Sequence, residues 1–150
     1  MNKKNKKIHK ISICFFGITR DLDLTFPSIK KNIINPSKKY GELNIYCHFF
    51  ETKFITNKRS NENRLKLKNN WDLIEANKLI SEPPNKFLKS IDLEYIYKHG
   101  DYYDDNFKSI INLLHQLYSL NKAFEISKSF KSDLTIFLRP DLLYLDSFEN

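Results

Sequence analysis

Glycine is scarce in this chain, with three residues in 150. That scarcity excludes the glycine-rich loops that wrap phosphates in bare backbone, and it argues against an all-β fold built on tight turns. Cysteine is rarer still. Cys14 and Cys47 lie in apolar runs with no CxxC spacing, so both are expected to be buried free thiols rather than a disulfide or metal pair. Long hydrophobic runs are also missing. The richest, over residues 11–18, is far short of the roughly 20 residues that cross a bilayer. Arg20 and Asp21 follow it at once, with no small-residue cleavage site, so it reads as a buried strand and not as a secretion signal. The expectation is a protein of the reducing cytoplasm, with no membrane-spanning segment.

Acid is absent from the first ten residues, which hold Lys3, Lys4, Lys6, Lys7 and Lys10. The whole chain carries a formal charge of +7, and without these five lysines the remainder carries +2. Basicity is therefore a property of the tail. Residues 1–10 are expected to be disordered and solvated, the alternative being contact with an anionic lipid surface or nucleic acid. What the chain has in plenty is aromatic: 12 Phe and 8 Tyr. These fall in core-like patterns rather than among the lysines, which counts against a nucleic-acid-binding face.

Along residues 11–150 the pattern is that of one α/β domain. Residues 11–18 form a strand covered on both faces. A helix follows, with Thr25 as N-cap, Pro27 in the first turn, Phe26, Ile29, Ile33 and Ile34 inward, and Asn35-Pro36 as its stop. A second strand spans 43–50, so the first fifty residues make a βαβ unit with parallel strands. Residues 51–72, polar and without period, read as a mobile surface loop. A short strand over 78–82, a helix over 86–98 and a long helix over 106–130 come next. The last carries a stripe of Phe107, Ile110, Leu113, Leu114, Leu117, Leu120 and Phe124, with Asp104 or Asp105 as cap. A final strand covers 134–138 and ends in Arg139-Pro140-Asp141.

In open α/β sheets, ligands bind outside the C-terminal ends of the strands. Those ends deliver Thr19, Arg20 and Asp21, then His48 and Glu51, then Arg139 and Asp141. Cations and a carboxylate suit a diphosphate with or without a metal ion. Each residue also has a plainer reading: Arg20 paired with Asp21 or Asp23, His48 as a structural histidine, Arg139 paired with Asp141.

Four segments carry a resemblance. Phe15-Phe16-Gly17-Ile18-Thr19-Arg20, followed by Ser28-Ile29-Lys30-Lys31-Asn32-Ile33, is similar to the "FGxxR" strand end and helix that open a family of nucleotide-diphospho-sugar glycosyltransferases of bacteria and large viruses. Ile45-Tyr46-Cys47-His48 resembles that family's second strand. Asn106-Phe107-Lys108-Ser109 with Gln116-Leu117-Tyr118-Ser119-Leu120 resembles its "NNFKS…RQLYSL" helix, with His115 in place of an arginine. Residues 137–144 resemble its "RPDxxY" strand end.

The resemblance implies a GT-A-like fold: a Rossmann-like three-layer sandwich with a mostly parallel sheet. It implies that Thr19, Arg20, His48, Arg139 and Asp141 bind a nucleotide-diphosphate sugar, for transfer to a glycan or other hydroxyl acceptor. Asp141 falls where the last carboxylate of a "DxD" motif would hold Mn²⁺ or Mg²⁺, while Arg139 stands in place of the first. It further implies a domain cut short before the acceptor site and catalytic base. The alternatives are a basic binding module, or a non-catalytic remnant that needs a partner chain or oligomer.

Overall fold

The computed structural model describes residues 10–57 and 62–148. Residues 1–9 of the expected tail lie outside that set, and Lys10, assigned to the tail from sequence, opens the first strand. Strand β1 (Lys10–Gly17) is buried without a break from Ile11 to Phe15. Ile13 and Phe15 enter one core, and Cys14 enters another on the opposite face. A strand buried on both faces must be central, and β1 pairs in parallel with β2 (Glu42–Phe50) on one side and β6 (Leu134–Leu138) on the other. Strand β5 (Lys78–Glu82) adds to the far edge of β2, also in parallel. The four-stranded order is β5-β2-β1-β6.

One face is covered by a helix over residues 22–37. It runs as α1 (Leu22–Ile29), a π-helical turn (Lys30–Ile34) and a last α-helical turn, α2 (Asn35–Ser37). Leu22, Ile29, Ile33 and Ile34 pack against Ile13, Phe15, Ile45, Cys47 and Phe49. The π turn inserts one residue, which brings Asn32, Ile33 and Ile34 all into buried positions. The helix starts earlier than expected. Its N-cap is Asp21 in a left-handed conformation, and Thr25 lies inside the helix, buried. At the other end the helix stops at Ser37, one residue past Pro36, close to the Asn35-Pro36 stop expected from the sequence.

Helix α5 (Lys108–Ser127) covers the other face, packing on β1 and β2. The residues it buries are Ser119, Ala123 and Ser127, at i, i+4 and i+8. This corrects the expected inward stripe: Leu113, Leu117 and Phe124 are exposed, Leu117 by 54%. Small side chains let the helix backbone approach the sheet closely enough for the Cys14 thiol to reach the Ala123 carbonyl at 3.6 Å. The larger residues are turned to the flank, where Phe124 meets Phe137 of the edge strand β6 at 6.1 Å.

Two further expectations are revised. Residues 51–72 are not one loop. They hold an antiparallel hairpin, β3 (Phe54–Asn57) with β4 (Glu62–Lys66), and a 3₁₀ turn (Trp71–Ile74) whose Ile74 is buried in the main core. Residues 86–98 are two short helices, α3 (Pro84–Leu88) and α4 (Leu93–Tyr97), the second capped by Asp92. None of the helices among the described residues is long and apolar enough to cross a membrane. The result is an α/β fold with helices on both faces of a parallel sheet, compatible with a Rossmann-like architecture.

Candidate functional site at the switch point of the sheet

Strand order decides which strand ends meet at a reversal of the sheet. From β1 the chain adds β2 and then β5 on one side, after which α5 carries it back across the sheet to place β6 on the other. The order therefore reverses between β1 and β6. In open α/β sheets such a reversal is where ligands bind; here the β1 loop leads into the 22–37 helix and the β6 loop packs against that same helix. The β1 loop carries Thr19 and Arg20, and the β6 loop carries Arg139 and Asp141.

These residues converge. Arg139 grips Asp141 with two bonds, Nε to Oδ1 at 3.0 Å and Nη2 to Oδ2 at 2.7 Å. Arg20 Nη2 donates to the same Oδ2 at 3.1 Å. The Asp141 side chain is only 3% exposed, while those of Arg20 and Arg139 are 22% and 38% exposed. Burial alone pushes the Asp141 carboxyl up, but the bonds and charges of Arg139 and then Arg20 outweigh it and hold the group below its ordinary value. The bond from Asp141 raises Arg139 in turn. The outcome is a buried anion holding two partly exposed guanidiniums where the sheet order reverses. Thr19 is buried beside them, its hydroxyl accepting from Trp71 Nε1 at 2.9 Å.

Three side chains on the 22–37 helix fix the β6 loop. Thr25 Oγ1 donates to the Pro140 carbonyl, Ser28 Oγ accepts from the Tyr144 amide at 3.1 Å, and Asn32 Nδ2 donates to the Tyr144 carbonyl. Thr25, Ser28 and Asn32 sit at i, i+3 and i+7, one polar stripe on an otherwise apolar face. That stripe was readable in the sequence and went unread, because its partner segment is more than a hundred residues away. Thr25→Val keeps the shape and deletes the donor to Pro140, so it should lower unfolding stability by about 1–2 kcal/mol in urea denaturation. A loss below about 0.3 kcal/mol would show that the bond contributes nothing net.

His48 is not brought to this cluster. It is fully buried under α5, with Nδ1 2.9 Å from Ser119 Oγ and Nε2 3.1 Å from Glu82 Oε1. Ser119 Oγ also accepts the Gly17 amide at 2.8 Å and lies 2.8 Å from the His48 carbonyl. Burial lowers the imidazole, only partly offset by Glu82, so it is neutral. Glu82 is itself held low: bonds from Tyr118, Lys86 and His48 outweigh its desolvation. A carboxylate at Nε2 calls for a proton there, and the one hydroxyl hydrogen of Ser119, which donates to the His48 carbonyl, has Nδ1 as its competing acceptor. Serine, histidine and carboxylate have the composition of a hydrolytic triad, but with the two ring nitrogens exchanged. Here the serine is fully buried and its oxygen already accepts the Gly17 amide, so the network ties elements together and meets no substrate. It acts on the arginine cluster only indirectly, by holding Gly17, whose φ of +99° starts the turn toward Thr19 and Arg20.

Acid should undo these groups in two stages. His48 has a lowered pKa in the fold, so the unfolded chain takes up its proton first, and stability declines as pH falls below about 6.5. Glu82 and Asp141 are also lowered, and their contribution is lost further down, as pH falls from about 4 through their folded values. Urea midpoints measured from pH 8 to pH 3 should show both declines, and His48→Gln should remove the upper one. An unchanged upper decline in that variant would assign it to another group.

The residues present do not fit a divalent ion at Asp141. Both oxygens bond guanidinium groups, and no cluster of three His, Cys, Asp or Glu that could hold a metal exists among the described residues. No known protein family, curated protein or solved structure matches this chain.

Proposed function

We propose that the chain binds the diphosphate of a nucleotide-sugar donor where β1 and β6 end, as a glycosyltransferase-like protein. The observation that carries this reading is the convergence of Arg20 and Arg139 on buried Asp141 at the switch point. Guanidinium groups match phosphate oxygens in geometry and charge, and a diphosphate leaving group gains most from fixed positive charge as its bond to the sugar breaks. Thr19, the donor-site residue next to Arg20 in the chain, is buried with its hydroxyl bonded by Trp71 and shapes the loop that presents Arg20. The acceptor is a glycan or another hydroxyl, in keeping with the family resemblance. His48 supports the site from beneath.

The test is a thermal-shift series with UDP-, GDP-, dTDP- and CMP-sugars. A ligand at about 100 times its Kd adds about 2.7 kcal/mol of stability, a readily measured rise in Tm. Diphosphate donors should outperform CMP-sugars, which carry one phosphate. A cooperative melt that no sugar nucleotide shifts would remove donor binding from this chain.

One observation favours a second reading, in which the chain works only against a partner. Leu113 and Leu117 on α5, Leu134 and Phe137 on β6, and Leu143 and Leu145 beyond it are all exposed, and β6 is an edge strand. A monomer at all concentrations in sedimentation velocity would count against self-association as the cover for that face.

A further inference from the structure

Asp141 is the residue that a metal-dependent donor site would use, and its surroundings argue against that use. A divalent ion of this class takes several oxygen ligands. Asp141 offers two oxygens, both bonded to guanidinium nitrogens at 2.7 to 3.1 Å, from a side chain 3% exposed. To reach them an ion would have to displace one arginine and then sit beside both positive charges, which repel it.

The arginines are placed for a different task. Both bond the same Oδ2, so their Nη2 atoms lie within about 6 Å of each other, held there by the carboxylate they share. Arg139 spends its Nε–Nη2 edge on Asp141. Nη1 is not engaged with that carboxylate, and the side chain is 38% exposed. The guanidinium is thus gripped on one edge and open on another, which is how a planar fork is held ready for a phosphate.

We infer that this site takes a diphosphate without a divalent cation: Arg139 and Arg20 supply the positive charge, and Asp141 is a positioning residue that orients them. The inference rests on the donor-binding reading above and deepens it. It assigns the charge that stabilises the leaving group to side chains present in every copy of the chain, independent of the metal concentration around it.

Isothermal titration of the intact chain with inorganic pyrophosphate and with UDP, in EDTA and again in excess Mn²⁺, tests it. The Kd values in the two conditions should agree within roughly threefold, and Arg139→Lys should weaken binding at least about tenfold in both, since lysine lacks the second edge. Asp141→Asn should weaken pyrophosphate binding by the same factor in EDTA and in Mn²⁺, because it loosens both arginines and removes no metal ligand. Binding that appears only with Mn²⁺ and vanishes in Asp141→Asn would make Asp141 a metal ligand and overturn the inference, while leaving donor binding intact. No binding of either probe in either condition would defeat the donor reading and this inference with it. The EDTA and Mn²⁺ comparison on the unaltered chain decides the matter even if Asp141→Asn fails to fold.

Discussion

His48→Ala should lower the unfolding free energy by about 3–4 kcal/mol, a large share of what a domain this size possesses. The ring is fully buried and packs edge-on against Phe50 at 5.5 Å and Tyr118 at 5.7 Å, so its removal leaves a void that the sheet cannot close. Two hydrogen bonds go with it, to Ser119 and Glu82. Glu82 keeps Lys86 at 3.1 Å and its bond with Tyr118, which limits the cost. His48→Gln retains volume and donors and should recover part of the loss. Equilibrium urea denaturation measures both, and a loss under about 1 kcal/mol for His48→Ala would mean that the network is incidental to the fold.

The second large effect is on ligand. Arg139→Ala should weaken binding of the best sugar nucleotide by about a hundredfold, the worth of one bidentate charge-assisted contact. The fold should survive, because Asp141 keeps Arg20 at 3.1 Å. The more exposed arginine contributes on the order of 1 kcal/mol to stability after solvent screening. A titration that finds less than about a threefold change would reduce the three residues to an ion-pair network that braces the β6 loop.

The parallel core of this fold was legible in sequence because its strands are continuous apolar runs, and a helix between two such runs leaves one sensible pairing. The hairpin over 54–66 was not. It packs little apolar surface and is written in lysine, asparagine and arginine, so it lacks the alternation that marks a half-buried strand. Helix α5 was visible but its orientation was misread. Hydrophobicity pointed to Leu113, Leu117 and Phe124, whereas the sheet-facing side is the one with the smallest residues, Ser119, Ala123 and Ser127. Close approach favoured small size over apolar area.

The site divides along the same line. Arg20, Arg139 and Asp141 could be placed at one edge from strand ends alone, since each follows directly from the end of a run. Their mutual bonds could not, because they depend on β1 and β6 being neighbours, a fact of topology rather than of any local pattern. His48 followed the same strand-end rule and landed elsewhere. Alternation along β2 decides only whether a side chain lies beneath α5 or beneath the 22–37 helix, and His48, two residues before the strand's end, is still inside the layers.

The neighbouring of β1 and β6 also sets a timetable. The bonds that hold the β6 loop join residues 115 and 121 positions apart, Thr25 to Pro140 and Arg20 to Asp141. Contacts of such separation are slow to form, because a long loop must be closed before they yield anything. During synthesis β1, its helix and β2 emerge well before β6, and β1 waits with one edge bare until β6 has left the ribosome. The Arg20, Arg139 and Asp141 cluster can exist only after that, and until then an edge of isoleucine and phenylalanine lacks its neighbour.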